Sequence, residues 1–276
     1  MLGEPVGHRG RQSSGAAVSN DRQQRAARAE QMRRDREKAD RRQRNVITVA
    51  IVAVVAVLIG VGSYAVTSAS GGKSSPVVQP ANATKDHGIV YDAAAAGATP
   101  PAGAKPVTVE IYEDFQCPVC KSFEAATGDF LDAQVASGAV TIAYKPFSFL
   151  DDNGGSPNRY SHRATNAALC VLADGGASAY KKMHDALYAN QPEERTDGPE
   201  DDELIDRAKQ IGVTGIDSCI RDEKYEGWID EARAAGEKAG VDQTPTVVVD
   251  GKAVSNSAGG APGVEDLQAA IAAAQA

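Results

Sequence analysis

Two cysteines stand three apart in the chain, as Cys117-Pro118-Val119-Cys120. A pair at that spacing can supply half of a zinc site or exchange electrons with another dithiol. The flanking residues bear on the choice. Val107-Thr108-Val109-Glu110-Ile111-Tyr112 alternates and is rich in β-branched residues, which predicts a strand running toward the pair. From Pro118 the apolar positions Val119, Phe123, Phe130 and Leu131 take a helical spacing. Proline fits the first turn of a helix, where its missing N–H does no harm. Cys117 is therefore expected at a helix N-terminus, where free N–H groups and the helix dipole favour negative charge. The thiolate is the reactive form of cysteine. A strand, a cysteine at a helix start and a second cysteine one turn later together suit dithiol–disulfide exchange. Lys121 adds a local positive charge, which salt would weaken.

A zinc site would need two more ligands, usually as another close pair. Cys170 and Cys219 stand alone, and His87, His162 and His184 show no ligand spacing, so no metal is assigned. The acidic stretch from Gln191 to Asp202 lacks EF-hand spacing and reads as a solvated loop. Glu113 and Asp114 lie just ahead of Cys117, and either could accept a proton from Cys120 during exchange. A solvated loop acid is the competing reading for both. His162, between Arg159 and Arg163, reads as polar surface. Trp228, the sole tryptophan, is expected to pack a helix on the core together with Tyr225.

Several elements must hold the pair in place. Val140–Lys145 predicts a second strand ending at Pro146-Phe147. Gln243-Thr244-Pro245-Thr246-Val247-Val248-Val249 predicts a strand started by proline, with a tight Asp250-Gly251 turn and Ala253-Val254 returning. His87–Tyr91 suggests a short extra strand. Between Pro146 and Pro245, helices are expected over Ser161–Ala173, Ala179–Ala189, Asp202–Ile211, Gly215–Arg221 and Glu223–Ala239.

These residues carry a family resemblance. Phe115-Gln116-Cys117-Pro118-Val119-Cys120 together with Thr244-Pro245-Thr246 resembles the thioredoxin superfamily. The approach Tyr112-Glu113-Asp114-Phe115-Gln116-Cys117 is similar to that of membrane-anchored DsbA-like thiol–disulfide oxidoreductases of Gram-positive and actinobacterial type. The resemblance covers roughly residues 105–275. It implies an α/β thioredoxin fold with a helical insertion over about 150–240, facing the active site. It implies a cis peptide at Pro245 and a Thr244 backbone that pairs with bound substrate. Cys170 and Cys219 could pair in an oxidising compartment or stay as two free buried thiols, and the resemblance implies a structural disulfide. It also implies exported cysteine-containing proteins as substrates and no cofactor beyond the Cys117–Cys120 disulfide. The reoxidant it implies is a membrane enzyme resembling vitamin K epoxide reductase. Pro118-Val119 departs from the Pro-His of the best-known DsbA. Val119 cannot donate a hydrogen bond, so a less oxidising potential is expected. The same dithiol would serve a reductase or isomerase. A non-enzymatic envelope module and a metal-handling protein are further alternatives.

The chain has 276 residues, of which 42% are hydrophobic, and a net charge of −8. This excludes collagenous, wholly disordered and disulfide-dense miniature classes, and the acidic balance argues against nucleic acid. The charge is uneven. Residues 1–45 hold twelve basic and six acidic side chains, and no charge falls between Asn45 and Gly72. A hydrocarbon core needs about 20 apolar residues to span it, and 46–67 supplies them. With Arg41, Arg42 and Arg44 on the N-terminal flank, the positive-inside rule puts 1–45 in the cytoplasm. The expectation is a single-pass cell-membrane protein with an extracytoplasmic linker over 68–104 and its catalytic domain outside, over 105–276. Cleavage near Thr67-Ser68-Ala69 is the rival reading.

Overall fold

The computed structural model describes residues 75–153 and 156–276. The expected basic leader, the apolar span and the start of the linker lie outside the described residues. Among the described residues, no helix is long and apolar enough to cross a membrane.

The elements run β1 (Ile89–Tyr91), β2 (Val107–Glu113), α1 (Pro118–Ala136) and β3 (Val140–Pro146). A short 3-10 turn over Asp151–Asn153 leads to α2 (Tyr160–Ala189), α3 (Asp201–Gln210), α4 (Asp217–Arg221) and α5 (Glu226–Lys238). Then come β4 (Thr246–Val249), β5 (Lys252–Val254) and α6 (Val264–Gln275). The sheet order is β1-β3-β2-β4-β5. β2 is central, parallel to β3 and antiparallel to β4, so Ile111 pairs with Tyr144 on one side and Val247 on the other. Val109 and Ile111 are fully buried, as a strand flanked on both sides requires. The β2–α1–β3 crossover is what lets two parallel neighbours follow each other in sequence. It also sets α1 at the C-terminal end of the central strand.

β4 and β5 form the hairpin expected from Asp-Gly. Asp250 and Gly251 have φ of 47° and 77°, the two positive values a tight two-residue turn requires. On β3, α5 comes so close that a Cβ at Gly236 would stand 2.7 Å from the Phe147 ring. Trp228 and Tyr225 are buried, as expected.

Between β3 and β4 the chain makes the helical insertion, α2 to α5. The two helices expected over Ser161–Ala173 and Ala179–Ala189 run on as one helical stretch, broken at Gly176. There φ is 73° and ψ −173°, a conformation essentially confined to glycine. Cys170 on α2 and Cys219 on α4 are joined by a disulfide, which ties the first insertion helix to the third. His162 is not polar surface. It is 5% exposed, with Nε2 3.0 Å from Asp230 Oδ1 and Nδ1 3.6 Å from Asp151 Oδ2. Its neighbours in sequence suggested a wet face, but the tertiary contacts turn that face inward. The final helix, α6, has no counterpart among the expected elements. It is rich in alanine, and it buries only Leu267 and Ile271 as large side chains, too sparse a pattern to announce itself.

Candidate active site

β2 ends at Glu113, and four residues later Cys117 caps α1 with extended backbone, φ −74° and ψ 117°. Its carbonyl accepts the first helical hydrogen bond, from Lys121 N at 3.2 Å. Pro118 opens the helix and leaves the first-turn N–H groups aimed at the cap. Cys117 is 6% exposed beside exposed Pro118 and half-exposed Val119, whereas Cys120 is fully buried. Both are free thiols. The Thr244–Pro245 peptide is cis, and the Cys117 thiol donates to the Thr244 carbonyl at 3.4 Å. The loop before β4 and the start of α1 therefore meet at one sulfur.

The two thiols are driven apart electrically. Hydrogen bonding from the Cys120 thiol, opposed by burial and helped by the Thr244 side chain and the N–H groups of Cys120 and Val119, lowers Cys117 to about 6. Burial, and then the neighbouring Cys117, push Cys120 well above the ordinary thiol range. At neutral pH one sulfur is a thiolate and the other a thiol. That is the asymmetry an exchange reaction uses, with a stable leaving group and a protonated partner.

The approach to the pair is tightly bonded. Asp114 is fully buried, so it is not a solvated loop acid. Its carboxylate accepts from Gln116 N (2.8 Å), Phe149 N and Leu150 N (both 3.1 Å) and Ser161 Oγ (2.6 Å). It thereby joins the active-site loop to the segment after β3 and to α2. Burial raises its carboxyl to about 6, against the pull of the Ser161 hydrogen bond. Four donors leave this carboxylate little room to take a proton from Cys120. The acidic loop also belongs to this region. Gln191 donates through Nε2 to the carbonyls of Phe115 (3.0 Å) and Cys117 (2.9 Å), and Gln116 reaches back to Thr196 O at 3.2 Å. The sequence had given neither glutamine side chain a role.

Glu113 is buried as well, and accepts from Tyr188 Oη at 3.1 Å. It forms an ion pair with His184 of α2, Oε1 to Nε2 at 2.9 Å. Glu124, one turn after Cys120 on α1, completes a group whose three ligating atoms lie within 4.8 Å of one another. Among the described residues this is the set that could hold a metal ion. Its members come from a strand, the helix of the dithiol and the insertion, so no spacing rule could have joined them.

A thioredoxin-type sheet with a dithiol at the start of α1, set against a cis-proline, defines a thiol–disulfide exchange protein. Comparison with known proteins agrees. The family model described as Thioredoxin matches residues 102–273. The reduced disulfide bond oxidoreductase DsbG of Mycobacterium tuberculosis is 30% identical, with a TM-score of 0.54, covering 70% of this chain and 97% of that one. Reduced DsbA of the same organism is also 30% identical, with a TM-score of 0.52 and coverage of 68% and 99%. The serine/threonine-protein kinase PknE of M. tuberculosis is 34% identical over 121 residues, which are 42% of this chain. The chain spans about a fifth of the length of that curated relative, 21%. The chain belongs to the thioredoxin family, in its DsbA-like thiol–disulfide oxidoreductase branch.

Proposed function

We propose that this protein introduces disulfides into exported proteins through Cys117 and Cys120. A substrate thiolate attacks the Cys117 sulfur of the Cys117–Cys120 disulfide, and Cys120 leaves and takes up a proton. A second substrate thiolate then attacks the substrate sulfur of the mixed disulfide and expels Cys117 as a thiolate. The substrate loses two electrons and the protein gains them. The observation that carries this reading is the split between the two thiols: the outer one is stabilised as a thiolate at about 6 and the inner one is held protonated. A good leaving group at Cys117 makes the disulfide form an oxidant.

Thr244 and Pro245 take the positioning role, with the Thr244 backbone pairing with an extended substrate segment. Glu113, rather than the fully bonded Asp114, takes the role of proton acceptor for Cys120 when the dithiol is reoxidised. The chemistry needs no cofactor beyond the dithiol. The apolar run over 46–67 and its arginine flank support a single-pass anchor, with the leader in the cytoplasm and the catalytic domain outside. A quinone-linked membrane enzyme resembling vitamin K epoxide reductase would return the dithiol to its disulfide.

Alkylation trapping in intact cells tests the direction. A resting pool mostly in the Cys117–Cys120 disulfide is the expected result. A resting pool held as dithiol would make the protein a reductase or isomerase. Retention of all cellular function by Cys117→Ser would make it a binding module.

A further inference from the structure

Behind Cys120, where β2, α1 and α2 meet, lies a group of side chains that disulfide exchange does not fully employ. Glu113 Oε1, Glu124 Oε1 and His184 Nε2 are each buried; the first and last face each other as an ion pair at 2.9 Å, and Glu124 Oε1 has no hydrogen-bond partner among the described residues. Glu113 is 4% exposed and His184 0%, so the pair is closed off from bulk solvent. All three atoms point into one space and lie within 4.8 Å of one another. A buried carboxylate oxygen left without a partner is costly, roughly 1–3 kcal/mol, and Glu124 Oε1 converges on the same space as the ion pair.

The atoms behind them are the ones a metal site requires. His184 Nδ1 lies 3.0 Å from Asp185 Oδ1, which turns Nε2 toward the shared space. The other oxygen of Glu113 accepts from Tyr188 Oη. Ligating imidazoles and carboxylates are oriented by such outer contacts. The rings of Tyr144 and Tyr188 stand 4.5 and 5.0 Å from the imidazole and wall the space with apolar surface. A cavity of about 330 Å³ is lined by Glu124 and Tyr188, with Asp132 and Asp185 paired to Lys181 at its wall.

We propose that Glu113, Glu124 and His184 bind one zinc ion. One imidazole with two carboxylates is a donor set zinc accepts, whereas calcium and magnesium favour oxygen alone. Zinc bonds of about 2.0–2.2 Å put neighbouring ligand atoms ~3–4 Å apart, within reach of small side-chain rotations here. His184 Nε2 and Glu113 Oε1, now an ion pair at 2.9 Å, would spread by a few tenths of an ångström as the cation replaced the proton between them. A bound ion would also withdraw Glu113 from proton acceptance. That consequence alone rests on the exchange reading, and the site itself does not.

The test is calorimetric titration of Zn²⁺ into the full chain in detergent, stripped with chelator and with the Cys117–Cys120 disulfide closed. In that form neither thiol can bind zinc. The expected result is one Zn²⁺ per chain, with affinity at least tenfold weaker in Glu124→Gln. Glu124 is only partly buried, so that variant keeps the fold, which circular dichroism checks. Co²⁺ loaded in place of zinc should show visible ligand-field bands without thiolate charge transfer. Absence of Zn²⁺ binding, binding of Mn²⁺ alone, or equal Zn²⁺ affinity in Glu124→Gln would each overturn the assignment.

Discussion

The sulfur of Cys117 lies 3.4 Å from the carbonyl oxygen of Thr244, 127 residues further along the chain. β2 and β4 are paired neighbours, so the end of one and the start of the other meet at the same edge of the sheet. The helix start brings the reactive sulfur to this point. The cis peptide brings a backbone carbonyl to meet it.

That contact belongs to a thiol held near 6 rather than at its ordinary 9.0. The folded value is depressed, so the resulting stabilisation of the reduced protein is complete above pH 9. It is lost as pH falls through 6. The advantage of reduced wild type over reduced Cys117→Ser should therefore shrink steadily between pH 9 and pH 5. The rate of alkylation by iodoacetamide should rise with a midpoint near pH 6. A midpoint near 9 would show that the hydrogen bonds to the sulfur do not act as described.

Asp114 is expected to hold the site together by structure. Asp114→Ala leaves Gln116 N, Leu150 N and Ser161 Oγ without their acceptor in a buried place. Loss of about 3 kcal/mol is expected, since orphaned buried donors are penalised individually. Urea unfolding of the oxidised protein measures it, and a loss below ~1 kcal/mol would contradict the role.

Val119 is half-exposed beside the reactive sulfur and offers it no side-chain donor. The protein should be less oxidising than DsbA, whose potential is about −120 mV. Val119→His adds a donor next to the thiolate and should raise the potential while lowering the Cys117 midpoint. Redox titration against glutathione reads both proteins. A wild-type potential at or above that of DsbA would refute the first expectation.

The Cys170–Cys219 bridge closes a sequence separation of 49 residues. A loop of that size is worth about 4 kcal/mol in the chain-entropy account. Cys170→Ser with Cys219→Ser should lower thermal stability accordingly. The alkylation midpoint of Cys117 should remain near 6, because the bridge lies within the insertion. A shifted midpoint would mean that the bridge also shapes the active site.

Local rules already indicated much of this protein. Strand alternation led to Cys117, Pro118 marked a helix start, and Asp250-Gly251 marked the hairpin. Each depends on a few neighbouring residues, whose backbone preferences are read directly. The same rules failed where burial decides. His162 and Asp114 looked wet because their sequence neighbours are polar, yet both are enclosed by segments distant in sequence. α6 was silent because alanine gives little periodicity.

The sequence by itself determined the dithiol, the strand and helix that present it, and the apolar run with its basic flank. Local spacing and side-chain type are enough for those. Tertiary structure alone decided which residues surround the sulfurs. The Thr244 carbonyl, the Gln191 clasp, the bonded Asp114 and the meeting of Glu113, Glu124 and His184 arise from packing. They depend on where the insertion folds back over β2 and α1, and no local pattern encodes that return.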